Sequence, residues 1–115
     1  MKPVSIQQPL QHYQWGDGCD GWTLVDEPTL SVKQERMPAG TSEMLHYHQH
    51  AQQFFFILGG VATFEIEGEM ITVSAQQGLH IAAGKKHRIS NNETTDLSFI
   101  LSSQPSTAND RHLVS

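Results

Sequence analysis

GTSEMLHYHQHAQQFFFILGG, residues 40–60, holds two short extended runs set between glycines. Met44 to His48 and Gln53 to Leu58 lack helical periodicity, are separated by a short polar loop, and end at Gly59-Gly60. Runs of this length and composition, bounded by glycine, read as strands. In a strand, residues i and i+2 point to the same side, about 6.5–7 Å apart, so His46 and His48 share a face. Two imidazoles at that spacing can converge on one ion with small χ adjustments. A tight site needs at least a third protein donor, supplied from another strand. The same alternation sends Phe55 to one side and Phe54 and Phe56 to the other, so at least one of these groups packs a core.

Outward from this stretch the period of two recurs. Leu30 to Met37 reads as a strand closed by Pro38-Ala39-Gly40. Ala62, Phe64 and Ile66 alternate with Thr63, Glu65 and Glu67, and Gly68 turns the chain into Glu69 to Val73, a tight hairpin through Glu67-Gly68. Leu79 to Ala82, His87 to Ser90 and Leu97 to Ser102 follow, and Trp22 to Val25 adds one more near the start. Eight or nine short strands separated by Gly, Pro and Asn predict an all-β sandwich or barrel. With no repeat and no linker, residues 1–115 read as one domain, with a core of about 22–103 between N- and C-terminal arms. The polar residues 103–115 are expected to lie over the barrel surface or a partner.

Gly40, five residues, His46-x-His48, four residues, Gln53, six residues and Gly60 resemble the first motif of the cupin superfamily, with Gln53 where the family usually has Glu. Ala82-Ala83-Gly84-Lys85-Lys86-His87-Arg88-Ile89-Ser90-Asn91 is similar to the second motif. Gly84, His87 and Asn91 keep their places there, whereas Ala82 replaces a proline and Gln76-Gln77 stand where Gly-Asp is usual. The resemblance covers roughly residues 22–103 and implies a cupin jelly roll (a double-stranded β-helix), two antiparallel sheets around a pocket open at one end. It also implies a metal site of His46, His48, Gln53 and His87, holding one divalent transition metal ion: Zn, Ni, Fe, Mn, Co or Cu. An amide oxygen is neutral, so the ion would keep its full charge, attract anionic or enolate-like ligands, and leave Mg²⁺ weakly held. Gln53 can ligate directly or stand back and hydrogen-bond a metal-bound water.

The remaining polar residues read more plainly. His50 falls on the rim, His80 faces away from the side Leu79 and Ile81 fill, and His12 and His112 lie in the tails. Tyr47 points away from the ion and packs. Glu35 and Arg36 sit on opposite faces of their strand; one could line the pocket, but a solvated face is the expected place. Without a carboxylate in the first motif no catalytic base is evident, and His50 and Glu43 are the nearest candidates. Cys19 lies among Gly and Asp with no base nearby and has no partner for a disulfide, so a reducing cytoplasm is the expected location. Seven basic against 12 acidic residues argue against a nucleic-acid partner. Met1 to Leu10 lacks the apolar stretch of a signal peptide, and no run approaches the ~20 residues that span a bilayer.

Fold and metal leave three functions open: a metal-dependent enzyme on a small oxygen-rich substrate (dioxygenase, isomerase or decarboxylase type), a non-catalytic small-molecule binding or sensing module, and a barrel whose metal only ties strands together. Interior histidines facing a pocket favour the first. Exposed sheet edges, together with Trp15 and Trp22 in an otherwise polar N-terminal run, predict a homodimer.

Overall fold

A computed structural model describes residues Met1–Ser115 as eleven strands and no helix. They are β1 Gln11–Trp15, β2 Cys19–Glu27, β3 Leu30–Met37, β4 His46–Tyr47, β5 Gln52–Gly59, β6 Val61–Ile66, β7 Glu69–Ser74, β8 Gly78–Ile81, β9 His87–Ser90, β10 Leu97–Gln104 and β11 His112–Leu113. A six-stranded sheet runs β1-β2-β3-β10-β5-β8 and a five-stranded sheet runs β11-β4-β9-β6-β7, with every pairing antiparallel. This is the jelly roll that the resemblance implies, built from strands the alternating pattern predicts. The expected hairpin is present, with Ile66 opposite Glu69 and positive φ at both Glu67 (48°) and Gly68 (84°). Both central residues at positive φ give the turn whose twist matches the flanking strands.

β1 and β11 lie in stretches read as arms, and β4 is two residues long where Met44 to His48 is expected. The polar C-terminal segment is therefore part of a sheet, pairing His112 with Tyr47 and Leu113 with His46.

The inward rows change character along their length. On β5 they run Ile57, Phe55, Gln53; on β10 Leu97, Phe99, Leu101, Ser103; on β3 Met37, Glu35, Lys33, Ser31. One end of the barrel is thus an apolar core and the other a polar-lined cavity. In the core Phe55 meets Phe64 edge-on at 5.0 Å between centroids and Phe99 at 5.5 Å. Each such side chain contributes about 1.5–3 kcal/mol by leaving water, with a further increment from the ring geometry. Phe54, on the outer face, is exposed, so the Phe triplet divides as its alternation requires.

Two further contacts set the cavity end. Tyr13, Gly21 and Glu35 stand opposite one another across β1, β2 and β3. A Cβ on Gly21 would lie 2.0 Å from Tyr13 Cζ. The missing side chain lets the phenol cross β2 and donate its hydroxyl to Glu35 Oε2. Asn91 is fully buried; its amide donates to Met37 O (2.9 Å) and Thr95 O (2.8 Å), and its Oδ1 accepts from Glu93 N (3.0 Å). Its backbone bonds Gly40 and Thr41, so the two motifs are tied together where the first begins and the second ends.

Candidate metal centre

His46 on β4 stands opposite His87 on β9, and His48 follows just past β4. All three are buried, and one ring nitrogen from each lies within 4.8 Å of the others. Ring centroids are 4.4 Å apart for His46–His87, 4.9 Å for His46–His48 and 5.5 Å for His48–His87. Every Nδ1 faces a backbone carbonyl: Met44 O at 2.7 Å, Asp110 O at 2.6 Å and Lys85 O at 2.8 Å. A carbonyl only accepts, so each Nδ1 carries the proton and each Nε2 presents a lone pair. Outer partners of this kind fix the tautomer and rotation of metal-bound histidines. Burial holds His46 down to about 3 and keeps His48 and His87 below the usual imidazole range, so all three are neutral, the form that ligates.

The fit to an ion rests on atoms that nothing in the protein satisfies. His48 Nε2 is buried without a hydrogen-bond partner. Buried Gln53 donates from its amide to Ser103 Oγ (3.1 Å), while its Oε1 lies 3.2 Å from His87 Nε2. With the His87 proton on Nδ1, these last two atoms are both acceptors, an arrangement that a shared cation satisfies. Three imidazole nitrogens and an amide oxygen suit a divalent transition ion and lack the carboxylates that Mg²⁺ or Ca²⁺ prefer.

A cavity of about 180 Å³ opens beside this cluster, lined by His46, His48 and Gln53 and by Tyr13, Trp15, Lys33, Glu35, Glu43, Phe55, Leu101, Thr107 and Arg111. Glu35 turns inward to it, contrary to the solvated face expected, while Arg36 points out and pairs with Asp20 at 2.6 Å. Burial raises the Glu35 carboxyl above the usual range against the opposing effects of Tyr13, Lys33 and Arg111. Burial likewise pushes Glu43 up to about 8, although Arg111 and the N–H of Ile89, donated to Oε1 at 3.0 Å, favour its charged form. Of the two candidate bases, Glu43 lines the cavity, while His50 is exposed and outside it. His80 bonds Gln52 on the outer face, His12 stacks on Trp22, and His112 stacks on Tyr47. Cys19 is buried in the apolar core.

Sequence reasoning missed the contribution of the arms. Tyr13 and Trp15 come from β1, and Thr107 and Arg111 from the segment before β11. The parity of Tyr13 and Trp15, with Gly21 opposite, was the available signal for the first pair. Nothing in the sequence marks the second. Asp110 is buried and clamps the loop after β4: its carboxylate accepts from Gln49 N (2.8 Å), His50 N (3.0 Å) and Ala51 N (3.0 Å), while its carbonyl holds His48. Burial opposes its ionisation, but those N–H groups outweigh it and bring the carboxyl down to about 2.

Residues 33–103 match the cupin domain family. The oxalate-binding protein of Thermotoga maritima is 31% identical over 65 residues, which are 56% of this chain and 54% of that protein, so the match spans about half the length of the curated relative. Among solved structures, an RmlC-like cupin from Shewanella frigidimarina superposes with a TM-score of 0.83 at 15% identity, covering 95% of both chains. A predicted oxalate decarboxylase from Thermotoga maritima does so with a TM-score of 0.80 at 22% identity, covering 92% of this chain and 100% of that one. The matched span holds both motifs, the three converging histidines and most of both sheets, and on that agreement of sequence and fold the chain belongs to the cupin domain family.

Proposed function

We propose that the protein is a metal-dependent enzyme acting on a small oxygen-rich molecule, with one divalent transition metal ion held by His46, His48 and His87 and by Gln53 as fourth donor. The observation that carries this reading is the buried, unpartnered Nε2 of His48, set among two further imidazoles whose protons are all committed to backbone carbonyls. A bound ion would supply Lewis acidity or a redox centre with positions left open for substrate. The chain supplies the rest. Ser103 orients Gln53, and Tyr13 orients Glu35. Glu43 holds a proton at neutral pH and can deliver it to a molecule in the cavity, the acid–base group that the first motif lacks. At about 180 Å³ the cavity is smaller than the roughly 300–1,000 Å³ of sites for drug-sized ligands, which suits a compact substrate.

A non-catalytic binding role is the second reading, favoured by the name of the Thermotoga maritima oxalate-binding protein. In either case we infer a homodimer working in the cytoplasm, where the lone buried Cys19 needs no partner.

Elemental analysis of tag-free protein tests the metal. Close to one transition ion per chain is expected, with most of it lost in His87→Ala, because two imidazoles and an amide make a poor site. Full metal content in that variant would sink the assignment. Incubating the metal-loaded protein with small organic acids, sugars and enolisable ketones then separates the two roles: turnover supports the enzyme, and a ligand recovered unchanged supports the binding module.

A further inference from the structure

Two cations line the cavity without a direct ion pair. The ion pairs of the chain engage His12, Arg36, Arg88 and His112; Lys33 and Arg111 are in none of them. Lys33 points inward from β3 with its ammonium 5.4 Å from the Tyr13 ring centroid. Arg111 follows Asp110, whose carboxylate and carbonyl are both fastened to the loop and ligand region around His48, so the backbone carrying the guanidinium is held firmly. The carboxylates of the same cavity form no ion pair with either: Glu35 accepts from the Tyr13 hydroxyl and Glu43 from the Ile89 N–H. Trp15 also lines the cavity, and its Nε1–H is buried without an acceptor. A buried donor left unpaired costs free energy that an incoming oxygen would recover.

We propose that Arg111 and Lys33 form an anion subsite that takes the carboxylate of a small organic acid, with the Trp15 indole N–H as a further donor to it. The inference deepens the metal-site reading and rests on it for the second anchor of the ligand, the ion itself. A planar guanidinium matches a carboxylate with two parallel N–H donors, and the ammonium adds a point charge. Arg111 and Trp15 lie outside residues 33–103, the span that matches the family, so much of the subsite stands outside the two motifs.

Calorimetric titration of the metal-loaded protein with oxalate, and with neutral oxamide as control, tests the subsite. Arg111→Gln and Lys33→Gln should each weaken oxalate binding at least fivefold at unchanged metal content, and leave oxamide binding where it was. Arg111→Lys, which keeps the charge and loses the fork, should fall between. Variants that hold a full complement of metal and bind oxalate like the parent would overturn the subsite while leaving the metal reading intact. If the parent takes up no metal, that reading fails by itself, and the same titration on metal-free protein decides the subsite. Saturable oxalate binding lost in Arg111→Gln supports it, and no binding overturns it.

Discussion

Gln53 is the residue at which this cupin departs from the usual ligand set, and the structure makes the exchange easy to examine. Glu is nearly isosteric with Gln, and Ser103 Oγ, which now accepts from the amide, can donate to a carboxylate instead. Gln53→Glu should therefore bind metal more tightly and shift preference toward Mn²⁺ and Fe²⁺, as competition titrations would show. The gain should fade as acid protonates the new carboxylate. Parent and variant binding every metal alike would mean that residue 53 does not ligate. Glu43 offers a second measurement. Its carboxyl lies near 8 in the folded chain against an ordinary 4.5, so folding opposes its ionisation. That penalty is absent below about pH 4.5, grows as pH rises and is complete above about 8. In metal-free protein, Glu43→Gln should raise Tm by several degrees at pH 8.5 and match the parent at pH 4; equal Tm values at both pH values would refute the assigned shift. The convergence of the three histidines was legible because motif spacing records it, and Glu43 was legible as a candidate because it lies close to the motif. Lys33 and Glu35 were not, since a charged residue on an alternating strand looks the same whether its side faces water or a polar cavity.

The C-terminal segment is the element whose role the sequence hid most completely. It is polar, β11 is only two residues long, and its value depends on partners distant in the chain. Asp110 satisfies three backbone N–H groups at once, so Asp110→Ala should cost about 2–4 kcal/mol in denaturant unfolding, in the range of a broken buried network. It should also weaken metal binding by about 10–100-fold, because the carbonyl that orients His48 belongs to the same segment. The carboxyl lies near 2 when folded against an ordinary 3.8, so its contribution is whole above about pH 4 and is lost as pH falls toward 2. The stability gap between parent and Asp110→Ala should therefore close over that interval; a gap that stays constant would show that ionisation of Asp110 contributes nothing. By contrast β5, β6, β7, β9 and β10 were all legible as strands, because each is an apolar or alternating run set between turn residues.

For the protein as a whole, a dimer would rest on Trp22 and not on both tryptophans. Trp15 packs against the apolar core within its own chain, so only Trp22, stacked on His12 outside, still presents aromatic surface to a partner. The outer face of the six-stranded sheet adds to it: Trp22, Gln34, Ile100 and Phe56 stand side by side across four strands, with Val32, Ser102 and exposed Phe54 in the next row. The charges nearby, Arg36 and Asp20, already cancel each other. Light scattering at micromolar concentration should report twice the 12.8 kDa chain mass, with Phe54→Asp shifting it toward one; a monomeric parent would refute the pairing. Gln53 and His87 are 34 residues apart, and His48 and Asp110 are 62 apart. Contacts of that separation are slow to form and are completed only once much of the barrel has closed. The local His46-x-His48 pair is a weak ligand by itself, so the nascent chain has little hold on any ion it meets. Metal choice would then be exercised by the finished barrel, with the ion the last component to join the assembly.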